Sequence, residues 1–229
     1  MAQQPLGALT PLLSVTVTLS PAQIAALHTT PVVLIPAPGA GKIIFVLSAG
    51  VFYTWGGVSY YAATDSFAVQ YASSGNSVLS VGNFGQLLSL AQSQYAYQPG
   101  GPDSTFLMQS GDDNQPVEMQ AADDYPASGV GASTIGAHGT GYVLNDTGTI
   151  TTGQGDATYL ITGVGALGIV TSFKITYAGT GYTVGAGQAT ATGGSQPGVG
   201  INFTINVNAL LAGNGTLKVV VYYQIIDVT

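Results

Sequence analysis

The sequence predicts an all-β protein, and three observations carry that reading. Valine, isoleucine, threonine and tyrosine recur in short runs along the whole chain, often alternating with polar residues, the period of half-buried strands. Turns rich in glycine and proline separate the runs, and glycine alone supplies 33 of the 229 residues, which suits tight turns between strands. Helical periodicity extends over one or two turns at most.

The elements follow in order. Residues 1–14 contain proline and glutamine without periodicity and read as an extended arm. Val15, Val17 and Leu19 alternate with threonine, giving a first strand. Ser20-Pro21 opens a short helix, because serine caps a helix and proline fits its first position. Ile24, Ala25, Leu27 and His28 follow, and Thr29-Thr30-Pro31 stops it. Residues 32–35 form a strand, residues 36–41 a turn, and residues 42–47 the next strand, with Lys42 on a sheet edge. A separate run over 51–53 leads to Trp55-Gly56-Gly57. Phe67, Val69 and Tyr71 mark another strand, and residues 78–81 a short one after a turn at 73–76. Residues 84–91 suit one or two helical turns. Residues 104–108 and 116–119 are strand candidates about a turn at 111–114.

From Tyr125 the character changes. Residues 128–208 are rich in glycine and threonine and nearly free of charge, whereas residues 216–228 return to a strongly apolar strand that belongs at a sheet centre. The expected architecture is a jelly-roll-like β-sandwich of residues 15–127 and 209–229. Residues 128–208 then form an inserted small β-rich repeat domain, with protease-accessible joints near 127–131 and 208–214. Within the insertion Gly139-Thr140-Gly141-Tyr142 recurs as Gly179-Thr180-Gly181-Tyr182. Residues 149–153 are echoed by 190–193, and 156–162 by 200–206, so two β-rich units share their apolar faces. The glycines reach positive φ, and each tyrosine folds over its turn.

Composition narrows the function. Charged residues make up 6% of the chain, the only cations are three lysines, and the formal net charge is −7. Phosphate backbones and anionic membranes are therefore poor partners. There is no cysteine, which removes disulfides and thiolate metal sites. The N-terminal residues lack the basic and apolar regions of a secretion signal, and the apolar runs are too short for a membrane-spanning helix. A chain this poor in charge is expected to associate with itself.

Chemistry-bearing motifs are few. Gly39-Ala40-Gly41-Lys42 ends like a phosphate-binding loop. Pro36 replaces its first glycine and Ile43 its hydroxyl residue, so a plain turn is expected. Asp112, Asp113, Glu118, Asp123 and Asp124 form the densest acidic stretch. Calcium is one reading, contact with a basic neighbour another and a solvated loop the default. His28 and His138 have no triad partners nearby, and neither an enzyme nor a cofactor is expected. The aromatic residues are the better candidates. Tyr53, Trp55, Tyr60 and Tyr61 surround Gly56-Gly57 and suit a protein interface, stacking on sugars, or a sandwich core. Tyr142 and Tyr182 join them as interface candidates.

Two stretches carry a family resemblance: LSPAQIAALHTTPVVLIPAPGAGKIIFVL over 19–47 with GNGTLKVVVYYQIIDV over 213–228, and the Gly-Thr-Gly-Tyr repeat. The first pair resembles the ends of a small β-sandwich in tailed-bacteriophage virion proteins. The repeat is similar to modules inserted in phage fibre and decoration proteins. The resemblance implies a virion structural component and a homotrimer. The first expectation is a capsid decoration or cement protein on the head surface, bound to the major capsid protein through the sandwich and the arm, with the repeat domain projecting. The alternative is a tail-fibre or receptor-binding module that recognises host surface glycans.

Overall fold

In the computed structural model, which describes residues 10–61, 66–72, 77–82, 85–99, 112–192 and 200–227, the sequence alternation becomes strand. β1 (Leu13–Leu19) packs Val15, Val17 and Leu19 on the core and leaves Ser14, Thr16 and Thr18 exposed. The strand also captures Leu13 and Ser14, placed in the arm by sequence, because they pair with Tyr223 and Tyr222. Ser20 then caps α1 (Pro21–Ala25) in a reciprocal box with Gln23, which satisfies backbone donors at the helix start. The helix is shorter than expected. Leu27 lies beyond it in a turn and is fully buried, as is Ile24.

β2 (Val32–Ile35) is followed by β3 (Lys42–Thr54), a single strand where the sequence suggested two runs. Residues 48–50 pair without a break, and a register shift lies just before them: Tyr222 pairs with Ser48 and Tyr223 with Val46, so Leu47 is the extra residue of a bulge. A bulge switches which alternate side chains face the core: Ile44 and Val46 point inward before it, Ala49, Val51 and Tyr53 after it. β4 (Ser66–Tyr71), β5 (Ser77–Gly82), the short helix α2 (Gly85–Ser89), β6 (Gln94–Pro99) and β7 (Val117–Ala121) follow. The strand expected over 104–108 lies outside the described residues.

Two four-stranded antiparallel sheets result, ordered β1-β16-β3-β6 and β2-β7-β4-β5, where β16 (Thr216–Asp227) is the last strand. The chain alternates between them with a single hairpin, β4–β5, inside one sheet. This is jelly-roll order. β16 lies between β1 and β3, the central place its apolar sequence calls for. β3 is also internal to its sheet, so Lys42 starts a central strand and not an edge one; it lies 4.0 Å from Asp227.

Between β7 and β16 the chain runs through a two-stranded ribbon, β8 (Gly129–Val130) with β15 (Leu210–Leu211), into a six-stranded sheet. Its strands are β9 (Ser133–Thr140), β10 (Thr147–Ile150), β11 (Thr158–Val164), β12 (Val170–Tyr177), β13 (Gly185–Thr192) and β14 (Ile201–Val207), in the order β12-β11-β10-β13-β14-β9. The first sequence repeat supplies β9, β10 and β11, and the second supplies β12, β13 and β14. Each repeat gives its first strand to the other: β9 pairs with β14 and β12 with β11. An approximate two-fold relation therefore passes between the central strands β10 and β13. His138 Nδ1 on one edge strand lies 2.6 Å from the carbonyl of Val170 on the other, so the sheet curls over one core of Tyr142, Tyr159, Ile161, Tyr182, Phe203 and Ile205. The sandwich has a separate core, built from residues 19–125 and 217–221.

The Gly-Thr-Gly-Tyr copies take the same backbone. φ is +59° and +79° at Gly139 and Gly141, +62° and +73° at Gly179 and Gly181, the left-handed region that glycine enters freely. Equivalent chain segments lie on the two turns: Tyr182 N donates to Ser128 O at 2.9 Å, and Tyr142 N to Gly168 O at 3.0 Å.

Candidate interaction surfaces

Four of the six aromatic candidates are interior. Tyr53 and Tyr60 are buried in the sandwich core, Tyr142 and Tyr182 in the core of the insertion. Tyr53, Tyr60 and Tyr125 form an edge-to-face stack with ring centroids 6.2 and 5.8 Å apart. The stack closes because Gly213 and Gly215 leave room: a Cβ at either position would lie 2.4 Å from the Tyr60 or Tyr53 ring. The Tyr60 hydroxyl donates to Gly215 O at 2.7 Å. Burial pushes the Tyr53 hydroxyl up to about 12, with Tyr177 adding to it; it likewise raises Tyr60. In the insertion, the Tyr182 hydroxyl donates to Ile150 O and accepts from Ala157 N.

Trp55 is half-buried against the sandwich core. Tyr61 is half-buried too, and its hydroxyl accepts from Gln154 Nε2 of the insertion at 3.1 Å. Ser59 Oγ meets the Tyr177 hydroxyl at 3.3 Å. Val58 and Asn214 exchange two hydrogen bonds. The aromatic segment 53–61 thus serves a junction inside the chain, between sandwich and insertion. Gly56 allows the approach, since a Cβ there would meet Asn214 O at 2.4 Å.

The exposed aromatics lie elsewhere, on the outer face of the first sheet. Tyr95 and Tyr97 on β6 are 78% and 64% exposed, and Phe52 on β3 and Tyr222 on β16 about two-fifths. Strand register puts them on one face: Tyr95 is opposite Phe52, Phe52 opposite Lys218, Tyr97 opposite Gly50, and Tyr222 opposite Ser48. The Phe52 ring lies over Gly50, its edge 3.4 Å from where a Cβ would stand. Lys218 Nζ lies 4.8 Å from the Phe52 ring centroid, a cation–π arrangement. Four surface rings on adjoining strands form an exposed apolar patch of the kind that marks interaction sites. No strand was expected over 94–99, and the alternation of Tyr95 and Tyr97 with Gln94, Ala96 and Gln98 does not say which face is covered.

The acidic residues do not converge. Asp112 is fully buried, Asp113 is exposed, and Asp124 accepts from the backbone N–H and hydroxyl of Thr29. Among the described residues no three His, Cys, Asp or Glu side chains could hold a metal ion. Glu118 lies instead on the outer face of the second sheet, where its Oε1 accepts from Gln70 Nε2 at 3.2 Å. His28 Nδ1 lies 3.0 Å from Ala121 O. The Gly39–Lys42 segment is a turn held by Asn114, which donates to Lys42 O and accepts from Gly39 N. No protein-family model matches the chain, and neither a curated protein nor a solved structure matches it.

Proposed function

We propose that the chain is a structural, binding protein of a tailed-phage virion, a capsid decoration protein that docks on the shell through the outer face of its first sheet. The observation that carries this reading is the row of exposed rings Phe52, Tyr95, Tyr97 and Tyr222 on a regular sheet face. Rigid aromatic side chains bury large area at small entropic cost and dominate protein interfaces. Two further features support it. The strand order is that of the jelly roll, a fold that recurs in viral capsid proteins, and the resemblance of residues 19–47 and 213–228 points to virion proteins. The chain also carries too little charge for a surface that stands alone in water.

The test is particle binding by a Tyr95→Ser/Tyr97→Ser double variant. Both positions are exposed, so the fold should survive, and binding to purified particles should weaken at least tenfold. Unchanged binding would remove this face from the interface. Copy number separates the readings: a decoration protein approaches the abundance of the major shell protein. The exposed tyrosines also suit stacking on sugars, as a tail-borne glycan-binding module requires. A few to tens of copies per virion, with glycan binding lost in the same variant, would establish that reading instead.

A further inference from the structure

The first sheet ends in β6, and among the described residues no strand pairs with the outer edge of β6. A bare edge offers backbone N–H and C=O groups to any second strand, so proteins guard their edges with charged side chains, prolines or bulges. The edge strand β2 of the second sheet follows this rule. It is four residues long, lies between Pro31 and Pro36, and shifts register between Val33 and Ile35. β6 is built differently. Its register against β3 runs unbroken from Gln94 to Pro99, and no charged residue falls between Asp65 and Asp103. Only Pro99, which lacks an N–H, limits pairing, and it stands at the end of the strand.

The sequence of this edge decides what fits it. Gln94-Tyr95-Ala96-Tyr97-Gln98 reads the same in both directions. Two antiparallel copies related by a two-fold axis through Ala96 set Tyr95 opposite Tyr97 of the second copy, Gln94 opposite its Gln98, and Ala96 opposite its Ala96. A two-fold contact requires a patch that complements itself in this way. Directly opposite residues of an antiparallel pair share a face. The rings therefore meet on the outer face, where Tyr95 and Tyr97 are exposed, and aromatic cross-strand pairs are favourable. The half-buried glutamines meet on the other face, where each amide both donates and accepts. Ala96, packed against the sandwich core, is small enough to face its own copy. Other registers match less well. Centring on Tyr95 or Tyr97 sets a glutamine against Ala96 and leaves one ring without a ring opposite. A slip of one residue turns the aromatic face of one copy to the core side of the other.

We propose that β6 pairs with β6 of a second copy of this chain, antiparallel and centred on Ala96, so that two four-stranded sheets become one continuous sheet. The net charge of −7 on each copy opposes association, but the uncharged stretch around β6 keeps like charges of its own away from the contact. Five paired residues span about 17 Å. That is well short of the area a permanent dimer buries, so the pairing is reversible and depends on concentration. The inference is independent of the virion reading, because it uses the edge of the sheet and leaves the outward side of the rings open.

Two measurements on the full chain test it. In the unaltered protein, the backbone amides of 94–98 that point away from β3 should exchange with deuterium more slowly as protein concentration is raised, whereas exchange in β10, inside the insertion, should not change. Fast exchange of those β6 amides at every concentration would overturn the pairing. The second measurement fixes the register, and the absence of cysteine from the chain removes any background. Within one strand positions 94 and 98 lie about 13 Å apart, too far for a disulfide. Across the proposed pair they face each other at about 5 Å. Under mild oxidation at high protein concentration, Gln94→Cys/Gln98→Cys should give a covalent dimer on a non-reducing gel, and each single variant about tenfold less. Equal yields from the single and double variants, or none from the folded double variant, would overturn the register centred on Ala96.

Discussion

Tyr53 and Tyr60 lie in one stack, yet their hydroxyls have opposite fates. Tyr60 donates to Gly215 O, whereas Tyr53 Oη is buried with no hydrogen-bond partner among the described residues. Removing a satisfied hydroxyl leaves its acceptor orphaned, and removing an unsatisfied one relieves a desolvation cost. Tyr60→Phe should therefore destabilise the protein by about 1–2 kcal/mol in urea unfolding, and Tyr53→Phe should leave stability unchanged or raise it by up to about 1 kcal/mol. Equal losses in both variants would contradict this account. Among the interface, sugar-stacking and core readings open for 53–61, burial of Tyr53 and Tyr60 is set by distant parts of the chain. The rings are covered by glycines more than 150 positions away in the chain, Gly213 and Gly215, and no local pattern announces that contact.

At the scale of elements, what the sequence made legible is local. The Ser20–Gln23 box, the alternation of β1 and the positive φ of the Gly-Thr-Gly-Tyr turns depend on residues within four positions of one another. What it concealed is set across strands. Ser48-Ala49-Gly50 looks like a break between two runs, but β16 pairs straight across it. The exchange of first strands between the repeats follows from pairing alone, and the hydrogen bonds of Gln70 to Glu118 and Gln120 need β4 beside β7. The turns offer a direct test of how tightly they are specified. Gly179 has φ +62°, and a Cβ there would lie 2.4 Å from Asp156 Oδ1 and 2.6 Å from the backbone N of Ala157; Gly187 has φ +66° and open space around it. Gly187→Ala should cost only the left-handed penalty of about 1–2 kcal/mol. Gly179→Ala should cost clearly more, because backbone has to move. Chemical unfolding of the two variants checks the order, and equal costs would mean that the turn yields freely.

At the scale of the whole molecule, the borders of the insertion are hydrogen-bonded to each other. Val130 and Leu210 face each other in an antiparallel ribbon, Ser128 N donates to Leu211 O, and Val130 N donates to Ala178 O. Facing residues of an antiparallel pair lie about 5 Å apart, so the sandwich can be closed without its passenger. A chain in which residues 131–209 are replaced by Asn-Gly, a dipeptide suited to a two-residue hairpin turn, should keep β-sheet circular dichroism and a cooperative melt. Loss of both would show that the sandwich needs the insertion to fold. The ribbon also fixes how the molecule carries mechanical load. A pull on the far end of the insertion reaches the sandwich through β15 and the start of β16, which is held along its length by β1 on one side and β3 on the other. Where the pull is directed along that strand, its ladder bonds share the load in shear and do not break singly in sequence. Resistance to such a pull is governed by the rate of forced unfolding, and the strand placed to slow that rate is the doubly paired β16.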